Sequence, residues 1–187
     1  FLIGFHLTCG CISNKNFQVL STHAIIGSAL ATLMPTFPLA GLALAGVSHF
    51  ATDAIPHWDY QLRSKSDDES NFLNDDMRAS GRDFLIDLTK IGFDLALGFG
   101  LSFLIWGWWF GLPLMSILLG AFGGVLPDFL QFAYFKIRRE PLTSLQRFHH
   151  FIHAKLRLTG RFVLGPILQV FIVIIFIVLN YYVRMRL

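Results

Sequence analysis

The chain has 187 residues, of which 54% are hydrophobic and only 14% are charged, and its formal net charge is +3. A soluble domain carries about 25% charged residues on average, so this composition argues against a water-soluble fold and favours a protein embedded in lipid. The basic residues are spread between apolar runs, which argues against a nucleic-acid-binding surface. The length suits one compact domain.

The N-terminal region predicts no membrane-crossing element. The apolar run from Phe1 to Ile12 is shorter than the roughly 20 residues that a spanning helix needs. Cys9 and Cys11 are the only cysteines, and one intervening residue is too few for an ordinary disulfide. We therefore expect structural or incidental roles for both.

A helical hairpin is predicted next. Residues 16–52 are 37 residues without a charged side chain, and Pro35 and Pro38 divide them. Because proline interrupts a helix, we expect helices over residues 21–34 and 38–56. Both are short, so we expect them to be tilted or partly buried by their neighbours.

Three longer apolar segments and two polar connections follow. A Gly-Leu-Pro sequence at residue 111 divides one long apolar run, and Trp106, Trp108 and Trp109 before it are typical of an interfacial aromatic belt. The mixed-charge connection at 60–83 predicts a mobile loop. The predicted elements are spans at 84–112, 113–135 and 162–183 and polar connections at 60–83 and 136–161.

The connection at 136–161 indicates how the chain is oriented. It carries seven Lys/Arg residues and one Glu, an excess typical of cytoplasmic loops. Both polar connections and residue 21 then lie on the cytoplasmic side. Arg184 and Arg186 fall on the opposite side of the membrane, against the tendency of Lys and Arg to lie in the cytoplasm. The predicted fold class is all-α: a polytopic transmembrane helical bundle of about five spans, without β-sheet.

Histidine and aspartate side chains recur at the ends of the predicted spans. In an up-down bundle, all of these positions share one membrane face, which unrelated core histidines would have no reason to do. They are His23 at the start of the first span; His49, Asp53, His57 and Asp59 at the end of the second; Asp94 early in the third; Asp128 late in the fourth; and His149, His150 and His153 in the basic connection.

Their spacing predicts metal binding. His49 and Asp53 are four residues apart, as are His149 and His153, so each pair shares one helical face and can close on one ion. His150 could replace His149 in this pairing, but we favour His149. Intramembrane carboxylates cost about 2.5–3.5 kcal/mol each, and a divalent cation would offset this cost. The predicted ligands are His23, His49, Asp53, His57, Asp128, His149 and His153.

Imidazole and carboxylate ligands favour zinc, with manganese or iron as alternatives, and the number of candidate ligands suits one or two ions. Two carboxylates are left as candidate general bases, Asp59 and Asp94. The basic connection suits anionic lipid head groups. We therefore predict membrane lipids as partners, an anionic lipid or lipid phosphate as substrate, and no nucleic acid.

Four short motifs resemble a known family. They are Thr22-His23-x3-Gly27, Ser48–Asp59 (SHFATDAIPHWD), Gly124–Asp128 (GVLPD) and Phe148–His153 (FHHFIH). They are similar to the small bacterial and archaeal membrane proteins classed as membrane-bound metal-dependent hydrolases, some of which bind the LexA repressor. The resemblance covers residues 22–153. It implies a bacterial or archaeal cytoplasmic membrane, and it implies that His23, His49, Asp53, Asp128, His149 and His153 are the metal ligands.

The leading hypothesis is a membrane-embedded hydrolase that uses a divalent metal to cleave a phosphoester or lipid-linked substrate at the cytoplasmic face. Two alternatives stay open. One is a transporter or channel for metal ions or protons, and the other is a non-catalytic membrane scaffold with a buried His/Asp network.

Overall fold

The computed structural model describes residues 16–154 and 163–186. Cys9, Cys11 and residues 155–162 of the basic connection lie outside the described residues. In chain order the elements are β1 (Asn16–Gln18), α1 (Leu20–Ala31), α2 (Pro38–Asp53), β2 (Asp59–Gln61), β3 (Lys65–Ser66), a 3₁₀ turn (Phe72–Asn74), β4 (Asp76–Met77), α3 (Arg82–Ser102), a π-helical segment (Phe103–Trp109), α4 (Leu114–Ile137), α5 (Leu142–Ile152) and α6 (Leu164–Arg184).

The described chain is mostly helical, as predicted, and has three candidate membrane-spanning helices, so the predicted count of five spans is not confirmed. Three of its helices are long and apolar enough to cross a membrane: α3 with its π-helical extension, α4 and α6. This is consistent with an integral membrane protein. At 1.5 Å per residue, the 12 residues of α1 cover about 18 Å, well short of the roughly 30 Å of hydrocarbon in a bilayer.

The short helix α1 lies at the centre of the bundle. Ten of its 12 residues are buried, and it packs against α2, α3, α4 and α6. Because other helices surround it, α1 does not need the length of a lipid-facing span. This explains why a charge-free stretch in the sequence resembles a span and yet forms a shorter, protein-enclosed helix.

Small residues bring α1 and α4 into backbone contact. A Cβ atom on Gly124 would collide with the carbonyl oxygen of His23, and one on Gly120 would lie 2.6 Å from the carbonyl oxygen of Gly27. Only residues without side chains allow such an approach. The contact fixes the first turns of α1 beside the first half of α4, about one turn before Asp128.

The break between α3 and α4 lies where the Gly-Leu-Pro sequence predicts it. Gly111 has a φ of +65°, a backbone conformation that favours glycine. Trp108 and Trp109 are 76% and 78% exposed, as a belt would require, but Trp106 is fully buried. Its Nε1 donates a hydrogen bond to the carbonyl of Ile25 at 3.2 Å, so Trp106 packs inside the bundle.

The first polar connection is folded rather than an extended loop, and the prediction of no β-sheet is wrong. Strands β1 and β2 pair antiparallel, as do β3 and β4. The Arg138 guanidinium donates to the carbonyls of Leu73, Asn74 and Asp75. The connection therefore lies against the end of α4, held by a residue that the sequence suggests for head-group binding.

Candidate metal centre

Five of the predicted ligands meet at the ends of four helices, and we call this set the deep centre. His23 begins α1, His49 and Asp53 lie in the last turns of α2, Asp128 lies in α4 and His149 lies near the end of α5. They are between 0% and 5% exposed. These five residues, which the sequence predicts to lie at one end of the bundle, are therefore close together in the structure.

Asp53 is the hub of the deep centre. Its Oδ1 lies 3.3 Å from His23 Nε2, and its Oδ2 lies 3.1 Å from His49 Nε2 and 2.8 Å from His149 Nε2. His49 Nε2 is also 3.7 Å from Oδ1 of Asp128. Ligand atoms bound tetrahedrally to one zinc ion at 2.0–2.2 Å lie about 3.3–3.6 Å apart, so the 3.1, 3.3 and 3.7 Å separations are close to those around a shared ion. The 2.8 Å separation of His149 Nε2 and Asp53 Oδ2 is that of a direct hydrogen bond.

In His49 and His23, the hydrogen bond made by Nδ1 shows that Nε2 is the nitrogen available to bind an ion. His49 Nδ1 lies 2.8 Å from the Gly124 carbonyl oxygen. A carbonyl can only accept, so Nδ1 carries the hydrogen and a neutral ring has its lone pair at Nε2. The Thr52 hydroxyl points its hydrogen at the backbone carbonyls of α2, so its oxygen accepts from His23 Nδ1 at 2.9 Å. This is the outer-shell pattern of metal-binding histidines.

Several inward-facing atoms have no hydrogen bond. Among the described residues, His49 Nε2, Asp53 Oδ1 and Asp128 Oδ2 are buried without a hydrogen-bond partner. A lone pair on Nε2 facing a carboxylate oxygen is repulsive unless the ring is protonated or a cation lies between the two atoms. No described Lys or Arg forms an ion pair with either aspartate, and an unpaired buried carboxylate is costly. A divalent ion would satisfy all of these atoms together.

Three other predicted residues form a separate set, which we call the second group: His57, Asp59 and His153. Their potential ligand atoms lie within 4.8 Å of one another, and His57 Nε2 is 3.0 Å from Asp59 Oδ1. Burial alone would lower the pKa of His57, but the neighbouring Asp59 carboxylate outweighs it and raises the pKa above its ordinary value. The second group therefore favours a positive charge at this nitrogen.

The sequence spacing predicts that His149 and His153 bind one ion, but the structure places them in different groups. His149 belongs to the deep centre, whereas His153 lies beyond the end of α5 with an extended ψ of 130°. Their ring centroids are 6.1 Å apart. The i, i+4 rule assumes that the helix continues, and α5 ends at Ile152. His57 likewise turns toward His153 rather than toward the deep centre's carboxylates.

Asp94, predicted as a general base, lies at the start of α1. Its Oδ2 accepts from the Leu20 amide at 2.6 Å, and its Oδ1 accepts from the Ser21 amide at 3.3 Å. A carboxylate at a helix N-terminus satisfies amides that have no partner inside the helix. Asp94 thus orients α1, and with it His23.

The residues that surround the ligands were the hardest to predict from the sequence. His150 stacks on Phe72 with ring centroids 3.8 Å apart and belongs to neither group. Gln169, which the sequence leaves unassigned, donates to the Trp58 carbonyl at 2.9 Å, between two members of the second group. Thr52 and Gly124 were missed, although the glycine pair beside Leu-Pro-Asp indicated a close helix contact.

No family model, curated protein or solved structure matches the chain. Function is therefore inferred from the side chains themselves. Neither group contains a thiolate, and mixed imidazole and carboxylate ligands are typical of zinc, manganese or iron sites that perform chemistry.

Proposed function

We propose that the chain is a membrane-embedded metal-dependent hydrolase that cleaves a phosphoester or lipid-linked substrate at the cytoplasmic membrane face. The observation that supports this is the orientation of His23 and His49. Each ring is held at Nδ1 by an oxygen acceptor and directs Nε2 at the Asp53 carboxylate. Buried histidines placed in this way are ready to bind a cation without rearranging.

The deep centre would hold the ion through His23, His49, Asp53, Asp128 and His149, with zinc favoured over manganese or iron. A divalent ion in such a site polarises a phosphoryl oxygen and lowers the pKa of a water molecule. The protein would supply the fixed position of the ligands and a site closed to bulk water. The packing of α1 on α4 holds the ligands in place, and burial excludes competing water.

Hydrolysis also needs a residue that accepts the proton of the attacking water, and Asp128 is the best placed of the carboxylates. Asp94 is engaged at the start of α1, and Asp59 faces His57. Asp128 has one oxygen near His49 and a second, Oδ2, without a hydrogen-bond partner among the residues described. It can bind with one oxygen and receive a proton on the other.

The position of the centre favours a substrate that lies in the membrane. The ligands are close to the ends of apolar helices, beside the amphipathic helix α5, which buries Gln146 and His149 and exposes Phe148 and Phe151. Exposed basic residues of the same connection, Arg139 and Arg147, can attract anionic head groups. The motif resemblance to membrane-bound metal-dependent hydrolases supports the same proposal.

A pathway for metal ions or protons has less support. It would need polar groups continuing from the deep centre through the other half of the bundle. Ser28, Thr32 and Asn180 are buried there, but each donates to a backbone carbonyl. Ser28 joins α1 to α4 and Asn180 joins α1 to α6, whereas Thr32 donates within α1 and accepts from Asn180 at 3.4 Å. These bonds hold the helices together in this half of the bundle.

The test compares the wild-type protein with Asp53→Asn. Asn keeps the volume but loses the charge, so the metal affinity of the deep centre should fall at least about tenfold and hydrolysis should disappear. Purified protein in detergent is stripped of metal, reloaded with zinc or manganese, and incubated with phospholipids and polyprenyl phosphates while released phosphate and head groups are measured. Asp83→Asn, a carboxylate on the surface at the start of α3, is the matched control and should retain both properties.

Two results would contradict the proposal. One is metal-loaded wild-type protein that releases nothing from any of these lipids. The other is Asp53→Asn protein that keeps full activity. Because the substitution could disturb folding, gel filtration and circular dichroism accompany it, and Asp128→Asn provides a second variant at the edge of the centre.

A further inference from the structure

We infer that His57, Asp59 and His153 form a second divalent-metal site, separate from the deep centre and with an open coordination position. The second group and the deep centre share no residue. Without a shared ligand, each site can be filled or emptied on its own.

The orientation of the His57 ring supports metal binding in the second group independently. His57 Nδ1 donates to the Ile55 carbonyl at 2.7 Å, which leaves the lone pair of the neutral ring at Nε2. Both His57 Nε2 and Asp59 Oδ1 are buried without a hydrogen-bond partner within residues 16–154 and 163–186. The arrangement repeats that of the deep centre, a held ring facing a carboxylate.

The number of ligands distinguishes the two sites. Zinc sites that perform chemistry have three protein ligands and a water or substrate in the fourth position, whereas closed sites have four. The second group offers two imidazoles and one carboxylate. The deep centre offers five side chains, all nearly inaccessible, while His153 is only partly buried. The second site is therefore the one with room for an exchangeable ligand.

Neighbouring elements hold the three side chains in place. Asp59 begins β2 and pairs with Gln18 of β1, and Gln169 of α6 fixes the backbone at Trp58. The amide of Ala154, next to His153, donates to the Asp53 carbonyl at 2.8 Å. The second group thus forms where β2 meets the end of α5, and an ion there would link these two segments.

The inference extends the proposed function but can be tested without a substrate. If the chain is a hydrolase, an ion in the second group would act beside the ion in the deep centre and add an exchangeable position for water or substrate. That role rests on the proposed function. The existence of the site does not, because bound ions can be counted in a protein that hydrolyses nothing.

The experiment counts cobalt ions bound to the full chain in detergent and records the visible spectrum of the protein. The wild-type chain should bind about two ions, and His57→Ala and Asp59→Asn should each bind about one. Sodium azide, which occupies open positions, should shift the wild-type spectrum and leave those of both variants unchanged. His150→Ala is the matched control, because His150 lies on α5 but outside both groups, and it should keep both ions and the azide response.

Two outcomes would overturn the inference. If His57→Ala binds as many ions as the wild type, the second group is a polar network only. If His57→Ala and Asp59→Asn both lose every ion while circular dichroism shows intact helices, the two groups form one coupled centre. Two bound ions without hydrolysis would instead contradict the proposed function and leave the second site standing.

Discussion

At the scale of single residues, the ligands depend on partners that never touch an ion. The imidazole of His23 is held by the Thr52 hydroxyl. In Thr52→Val protein the shape is kept but the acceptor is lost, so the ring can rotate or change tautomer. Losing such a partner typically weakens metal binding about 10–100-fold.

A competitive zinc titration against a chromogenic chelator measures this loss. Thr89→Val is the control, because Thr89 is exposed on α3 and its hydroxyl donates only to the Leu85 carbonyl. Equal zinc affinities for the two variants would show that Thr52 does not orient His23.

Much of the ligand set could be predicted from the sequence, but its division could not. His49 and Asp53 lie inside a continuous helix, so their spacing was a reliable guide to a shared face. His153 follows the end of α5, and no local pattern indicates that a helix of 11 residues stops there. The two groups therefore appear only when the structure shows where α5 ends.

At the scale of elements, the contact between α1 and α4 should be sensitive to one methyl group. In Gly124→Ala protein, Cβ would collide with the His23 carbonyl and push α1 away. Overpacking of this kind costs about 1–3 kcal/mol, and it moves a ligand. Both the midpoint of thermal unfolding and the zinc affinity should fall.

The control is Gly100→Ala on α3, where an added Cβ meets no atom within 4 Å. Alanine favours a helix over glycine by up to about 1 kcal/mol, so this variant should be as stable as the wild type or more so. Thermal unfolding followed by circular dichroism distinguishes the two. A Gly124→Ala protein with wild-type stability would show that the helices can separate without penalty.

Arg138 should act on the fold of the first polar connection rather than on lipid binding. Its guanidinium donates to three consecutive backbone carbonyls. In Arg138→Ala protein, the amides of residues 71–78 should exchange hydrogen faster, because those carbonyls lose their partner. Arg139→Ala, a change at an exposed neighbour, should leave the exchange unchanged. Hydrogen exchange measured by mass spectrometry would reveal equal rates if Arg138 were only a surface charge.

The elements differ in how far the sequence predicted them. Apart from α5, which lies in a predicted polar connection, the helices lie within a few residues of the expected segments, because charge-free runs and prolines mark their ends. The strands were missed because two or three residues are too few to show an alternating pattern. The count of five spans is not confirmed, because composition cannot distinguish a helix surrounded by lipid from one, such as α1, that is surrounded by other helices.

At the scale of the whole molecule, α3 and α4 are consecutive candidate spans, so their outer ends at residues 82 and 137 should share one membrane side. Single cysteines introduced at Ser66 and Arg139, with Cys9 and Cys11 replaced, should react with a membrane-impermeant maleimide from the same side. A cysteine at Gly111 should react only from the other side. The Lys/Arg excess of residues 136–161 predicts that the first side is the cytoplasmic one. Labelling of all three positions from one side would contradict a spanning α3–α4 pair.

The long-range assembly of the deep centre has a consequence for how the protein is made. His149 and Asp53 are separated by 96 positions in the chain, and α4, which contributes Asp128, lies between them. A ribosome has therefore synthesised and released most of the bundle before the last ligand emerges. If the deep centre binds a metal as proposed, the ion is acquired after membrane insertion, so cells starved of the metal should accumulate an inserted but empty precursor that quality-control proteases can degrade.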